Sequence, residues 1–216
     1  MSQHTIQSQG YAIQSFIQRW TRVSIDGVNG LLTEYSSGPI RSVAATFETR
    51  TLGREEPQDA QFIVTYSDGG VYEWTEKQFG VYEVQFGTSV SPDGELVFVQ
   101  TWERGMFAYA ARTGELVWKT KSRRGITNIY VNENTVLCHQ HEHALQLLDI
   151  RTGEVIKEKR PATAWGFYYI DDGVILCQTR VNKWEIISTE DLETLASARG
   201  GTYPNELVDN FKSRTI

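Results

Sequence analysis

The chain repeats itself. Residues 96–121, LVFVQTWERGMFAYAARTGELVWKTK, return as residues 135–159, TVLCHQHEHALQLLDIRTGEVIKEK, and more faintly as residues 174–198, VILCQTRVNKWEIISTEDLETLASA. Arg112-Thr113-Gly114 precedes Arg151-Thr152-Gly153 by 39 residues, and Cys138 precedes Cys177 by the same 39. Each copy holds short alternating apolar runs separated by turn residues. In the first copy, Glu103-Arg104-Gly105 breaks two β-rich runs. Arg112-Thr113-Gly114 then turns the chain into Leu116–Thr120, with Gly114 free to take positive φ. A period near 40 made of short strands and tight turns is the signature of a β-propeller blade.

The wording of the unit, "AxxTGELVWK" after a strand, resembles the pyrroloquinoline-quinone-type repeat, a WD-like blade. The second copy, "LDIRTGEVIKEK", keeps the turn but has Lys157 where the first has Trp118. The resemblance implies a propeller of repeated blades. It does not bring the quinone with it: the enzymes it resembles are larger rings with a dedicated cofactor pocket and a calcium site, and nothing here matches either. No cofactor is expected.

Extending the period over the chain gives an all-β, single-domain protein spanning 1–216. It reads as a five-bladed propeller closed by a hybrid blade, in which a strand at 203–208 joins strands from 11–35. Closure of this kind removes exposed sheet edges. The alternative for the same strands is an open sandwich. Residues 1–10 read as a flexible N-terminus, and residues 50–60, too polar to bury with Gly53, Glu55, Glu56, Pro57 and Asp59, as an exposed loop insertion. Two cysteines at equivalent repeat positions read as buried thiols, because neighbouring blades stack ~10 Å apart, too far for a bridge. No apolar run approaches the ~20 residues that cross a bilayer. The opening MSQHTIQSQG has neither a charged n-region nor an apolar h-region, so a cytoplasmic chain is expected.

Catalytic signatures are missing: the inferred inner strands carry almost no carboxylates beyond Glu206, and glycoside hydrolysis needs a pair. His139, His141 and His143 have a spacing that suits zinc or nickel, but His141 occupies the turn site that holds Trp102 one repeat earlier. No metal is assigned. Charge is the sharper signal, although the net charge is only −6. Turns between second and third strands share one rim with the blade-to-blade connections. That rim gathers Arg104, Arg123, Arg124, Arg160 and Arg180, with Trp102 and Trp165 beside them. The opposite rim gathers acids, with Glu55, Glu56 and Asp59 in the expected loop; Asp-Gly and Asn turns account for part of that acidity on conformational grounds.

Three functions from different classes fit. The first is a non-catalytic protein-binding propeller, adaptor-like or immunity-type, whose partner is a basic toxin or an acidic surface. The second is a small-ligand or sugar-binding, lectin-like propeller. The third is an enzyme with a channel site. Membrane association is not expected, and the acidic far rim argues against nucleic acid.

Overall fold

A computed structural model describes residues 18–25, 28–46, 59–77, 88–101, 105–120, 125–140, 143–160, 167–171, 173–180, 182–200 and 204–215. They form seventeen strands and one helix. β1 (Gln18–Ile25), β2 (Val28–Tyr35), β3 (Ile40–Thr46), β4 (Ala60–Tyr66) and β5 (Val71–Glu76) make one sheet in chain order. Three four-stranded antiparallel meanders follow. They are β6 (Thr88–Val90) to β9 (Leu116–Lys119) with β7 (Leu96–Gln100) and β8 (Met106–Ala110) between them; then β10 (Ile126–Val131), β11 (Thr135–Gln140), β12 (Ala144–Asp149) and β13 (Val155–Lys159); then β14 (Phe167–Asp171), β15 (Val174–Arg180), β16 (Lys183–Ser188) and β17 (Thr194–Arg199). These sheets are called blades I to IV. The helix α1 (Asn205–Thr215) closes the described chain.

The 39-residue period is a period of backbone pairing. Leu96 pairs with Ala110, Thr135 with Asp149 and Val174 with Ser188. The third-to-fourth strand ladder slips at the same place each time, between Ala108 and Tyr109, Leu147 and Leu148, and Ile186 and Ile187. A second signature fixes the phase of blade I. The residue after each third strand donates its N–H to the turn after each first strand: Ala111 to Glu95 (2.8 Å), Ile150 to Asn134 (3.0 Å) and Thr189 to Gly173 (2.8 Å). Ser67 makes the same bond to Pro39 (2.8 Å). Blade I therefore runs β2-β3-β4-β5, with β1 added beside its first strand.

That phase corrects the sequence reading, which assigned the strands of 11–35 to a hybrid blade with residues 203–208. It also moves the expected loop. Residues 50–58 lie outside the described residues, but Asp59 immediately precedes β4. It therefore sits at the end where second strands give way to third strands, not on the acidic rim.

Burial follows from stacking. β7, β10 and β12 are buried along almost their whole length, because a neighbouring blade covers each face. In β4 burial alternates: Ala60, Phe62, Val64 and Tyr66 are buried while Gln61, Ile63 and Thr65 are half-exposed. Among the described residues, only one face of β4 is thus covered. The apolar clusters run I–II, II–III and III–IV, each fully buried aliphatic or aromatic side chain contributing about 1.5–3 kcal/mol.

The fourth cluster joins blade IV to the helix: Leu176, Trp184, Ile186 and Ala196 meet Leu207, Val208 and Phe211. Here the second expectation fails. Residues 205–215 are helical, so no strand at 203–208 completes a hybrid blade. The helix lies on the face of blade IV that blades I to III present to the next blade. Among the described residues no cluster joins blade IV to blade I, and four blades are seen rather than five. No described helix is long and apolar enough to cross a membrane.

Candidate functional site

The seams between blades are where side chains from distant parts of the chain meet. At seam I–II, Trp74 of β5 lies on the turn of blade II, where a Cβ on Gly114 would collide with Trp74 Cγ. Phe62 stacks behind it (4.1 Å between rings) and Tyr109 packs at 4.8 Å. Arg112 lies over the Tyr66 ring at 4.5 Å and donates to the Tyr72 hydroxyl. Seam II–III repeats the device. Trp118 lies on Gly153, where a Cβ would meet Trp118 Cδ2 at 2.6 Å, and its indole N–H donates to the Ile150 carbonyl at 2.9 Å. Both glycines have positive φ, +70° and +69°, as the turn requires.

Seam III–IV is built differently. Lys157 stands in the tryptophan position and pairs with Glu193 at 2.6 Å. Leu192 stands in the glycine position and keeps the same left-handed conformation, φ 58°. Two residues on, Lys159 reaches from blade III into blade IV. Its Nζ lies 3.3 Å from Glu185 Oε2, donates to Thr194 Oγ1 at 2.7 Å, and lies 3.4 Å from the Leu192 carbonyl. Lys183 also pairs with Glu185. Burial would raise the Glu185 carboxyl, but the hydrogen bond from Lys183 and the charge of Lys159 overcome it and hold the group below the usual glutamate range.

The sequence-derived charges fall as follows. Trp102, Arg104, Arg123, Arg124, Trp165, Glu55, Glu56 and His141 lie outside the described residues. Arg180 ends β15, paired in register with Lys183. Arg160 follows β13; it is exposed and ion-paired with Glu158. Asp59 is exposed and lies 3.9 Å from Lys77. Sequence reasoning missed Glu158 and Glu185, because it counted charges in turns and these acids stand on strands. On the opposite rim, Asp68, Asp93, Asp149 and Asp191 accept backbone N–H groups of their own turns. Their acidity there is turn chemistry. His139 is buried with its Nδ1 2.7 Å from Thr127 Oγ1, and His143 sits in the turn after β11. Among the described residues no three metal-ligating side chains converge.

Two further features were not singled out from sequence. Among the described residues, the large apolar side chains left exposed are Val71, Leu116, Val117, Val155, Ile156 and Leu195, all on fourth strands. Val117, Ile156 and Leu195 recur every 39 residues, at the position where each fourth strand slips out of register. The second feature is a cleft of about 470 Å³ on the outer side of seam II–III. Its walls are the end of β9, Gln146 and Leu148 of β12, and the turn from Thr152 to Val155.

Stacked four-stranded meanders with a recurring turn and an inter-blade tryptophan define a repeat protein of the β-propeller class. The family model described as outer membrane protein assembly factor BamB, a pyrroloquinoline-quinone-type repeat, matches residues 52–200, and the chain belongs to that family. BamB from Moraxella catarrhalis is similar in fold at 13% identity, covering 83% of this chain and 50% of that one, with a TM-score of 0.51. A chain of the mitotic checkpoint complex matches at 14% identity over 72% of this chain and 46% of its own, with a TM-score of 0.52. The chain thus spans about half the length of the solved structures it resembles. No curated protein matches it in sequence.

Proposed function

We propose that the chain is a non-catalytic protein-binding propeller of the adaptor or immunity type, acting in the cytoplasm. The observation that carries this reading is the apolar row on the fourth strands. Apolar side chains left in water at one repeat position on three successive blades form a surface suited to a partner protein. The names of the similar structures point the same way, one an assembly factor and the other a member of a multiprotein complex. The basic residues that the sequence assigns to turns, Arg104, Arg123, Arg124 and Arg180, would supply long-range attraction for an acidic partner surface. Arg160 contributes less, since Glu158 already holds it. The competing charges are Glu55, Glu56 and Asp59, with Asp59 at the same end of the blades as the basic turns; they would take a basic toxin.

The test is affinity capture from a native lysate with three forms of the chain. Replacing Val117, Ile156 and Leu195 by glutamate leaves the fold intact, because these side chains are already exposed. It is expected to abolish capture of a stoichiometric protein. Arg123→Glu with Arg124→Glu should weaken capture and flatten its salt dependence. Undiminished capture by both variants would remove the reading, and loss only on converting Glu55, Glu56 and Asp59 to lysine would favour a basic partner.

A further inference from the structure

The cleft at seam II–III has a counterpart one repeat later, and the counterpart is full. Adding 39 to five of the eight wall residues gives the clasp of seam III–IV: Thr120 becomes Lys159, Gln146 becomes Glu185, Gly153 becomes Leu192, Glu154 becomes Glu193 and Val155 becomes Thr194. At seam III–IV the butylammonium arm of Lys159 occupies the space, its head held by Glu185, Thr194 and the Leu192 carbonyl. The protein thus carries its own occupant in one copy of the site. In the other copy the occupant has been cut back to a threonine hydroxyl, and the space stands open.

Which ligand fits follows from what was exchanged. The ammonium and its buried carboxylate were both removed, one for threonine and one for glutamine. The inner wall of the open cleft therefore has hydrogen-bonding groups and no net charge. Gln146 is fixed in place: it accepts from Gln140 Nε2 at 2.6 Å and donates to Glu158 Oε2 at 2.6 Å. The Glu158 carboxylate behind Gln146 is already paired with Arg160, so an isolated ion entering beside Gln146 would lose its hydration for no free counter-charge on that wall, which is costly. Exposed Lys119 and Glu154, of opposite sign, add a donor and an acceptor, while Leu148 and Val155 offer apolar surface. A cleft of about 470 Å³ is in the size range of small-molecule sites, roughly 300–1,000 Å³.

We propose that this cleft binds a small uncharged polyol of saccharide type, mono- to disaccharide in size. Hydroxyl groups both donate and accept, so they match walls that carry threonine hydroxyls and a glutamine amide. The C–H faces of a sugar ring suit Leu148 and Val155. This site is independent of the apolar row on the fourth strands, and neither reading needs the other.

The test uses the full chain, labelled with nitrogen-15 and titrated with glucose, sucrose and trehalose. At least one sugar is expected to give saturable shifts confined to the amides of Thr120, Gln146 and residues 152–155. The double variant Thr120→Lys with Gln146→Glu rebuilds the clasp of seam III–IV inside the cleft. It should keep the far-ultraviolet circular dichroism of the parent and lose at least tenfold in sugar affinity. If that variant does not fold, Glu154→Gln and Lys119→Ala, both at exposed positions, are each expected to weaken binding severalfold. No saturable shift with any of the three sugars would overturn the proposal. So would unchanged affinity in the variants, or equal response at these amides to n-butylammonium or to sulfate.

Discussion

Replacing Gly153 by alanine isolates what holds one blade to the next. Two costs arise there and they are separable. Gly153 has φ +69°, and an L-residue in that left-handed conformation costs about 1–2 kcal/mol. The new Cβ would also lie 2.6 Å from Cδ2 and Cε3 of Trp118, a side chain held by its bond to Ile150, so the indole must shift. Overpacking of this kind costs about 1–3 kcal/mol. The expected loss is therefore about 2–5 kcal/mol. In a Trp118→Lys background, which copies Lys157 of the next blade, the steric part vanishes and Gly153→Ala should cost only about 1–2 kcal/mol. Leu192, at φ 58° opposite Lys157, shows that the turn accepts a side chain once the tryptophan is gone. Urea unfolding followed by far-ultraviolet circular dichroism gives the four stabilities of the cycle. A coupling of about 1–3 kcal/mol is expected. Equal cost of Gly153→Ala with and without Trp118 would refute tryptophan docking as the reason for glycine.

Other outcomes follow from the same geometry. Glu185→Gln should cost about 2 kcal/mol at neutral pH, the scale of hydrogen bonds to a charged group. The sign with pH is set by the depressed carboxyl: its contribution is present above the ordinary glutamate range, about pH 4.3, and is lost as pH falls through the lower folded-state value. Stability profiles of parent and variant should therefore converge in acid, and a constant gap down to pH 2 would contradict the clasp. Cys138 and Cys177, whose thiols burial pushes up to about 12, should resist iodoacetamide at pH 8 until denaturant is added. Rapid alkylation of the native chain would count against the packing of seams II–III and III–IV.

The repeat was legible because backbone pairing itself recurs at 39 residues, so turn residues, cysteines and apolar runs all carried the period. The buried state of the two thiols followed from it. The phase of blade I was not legible. Ser67-Asp68-Gly69-Gly70 marks a hairpin in any blade, and only the bond from Ser67 to Pro39 shows which hairpin it is. Residues 203–208 misled for a different reason. Over six residues, Leu207 and Val208 fit an apolar strand as well as a helix face, and it takes Phe211, one turn further on, to reveal the helical spacing. The charge reading was incomplete because a rim count weighs turns alone. Glu158 and Glu185, on strands, already neutralise part of the basic edge. Lys157 in place of Trp118 was visible as a departure from the repeat, but the clasp that replaces the tryptophan depends on Lys159 and Glu185 meeting across two blades, which no local pattern signals.

The central structural claim is that the described array ends in a helix laid on blade IV, in place of a strand that closes a ring. Backbone and side-chain nuclear magnetic resonance of residues 204–215 tests it directly. The expected result is helical chemical shifts over 205–215, with nuclear Overhauser contacts from Val208 and Phe211 to Trp184, Ile186 and Ala196. Extended-strand shifts with cross-strand contacts to β1 or β2 would contradict it.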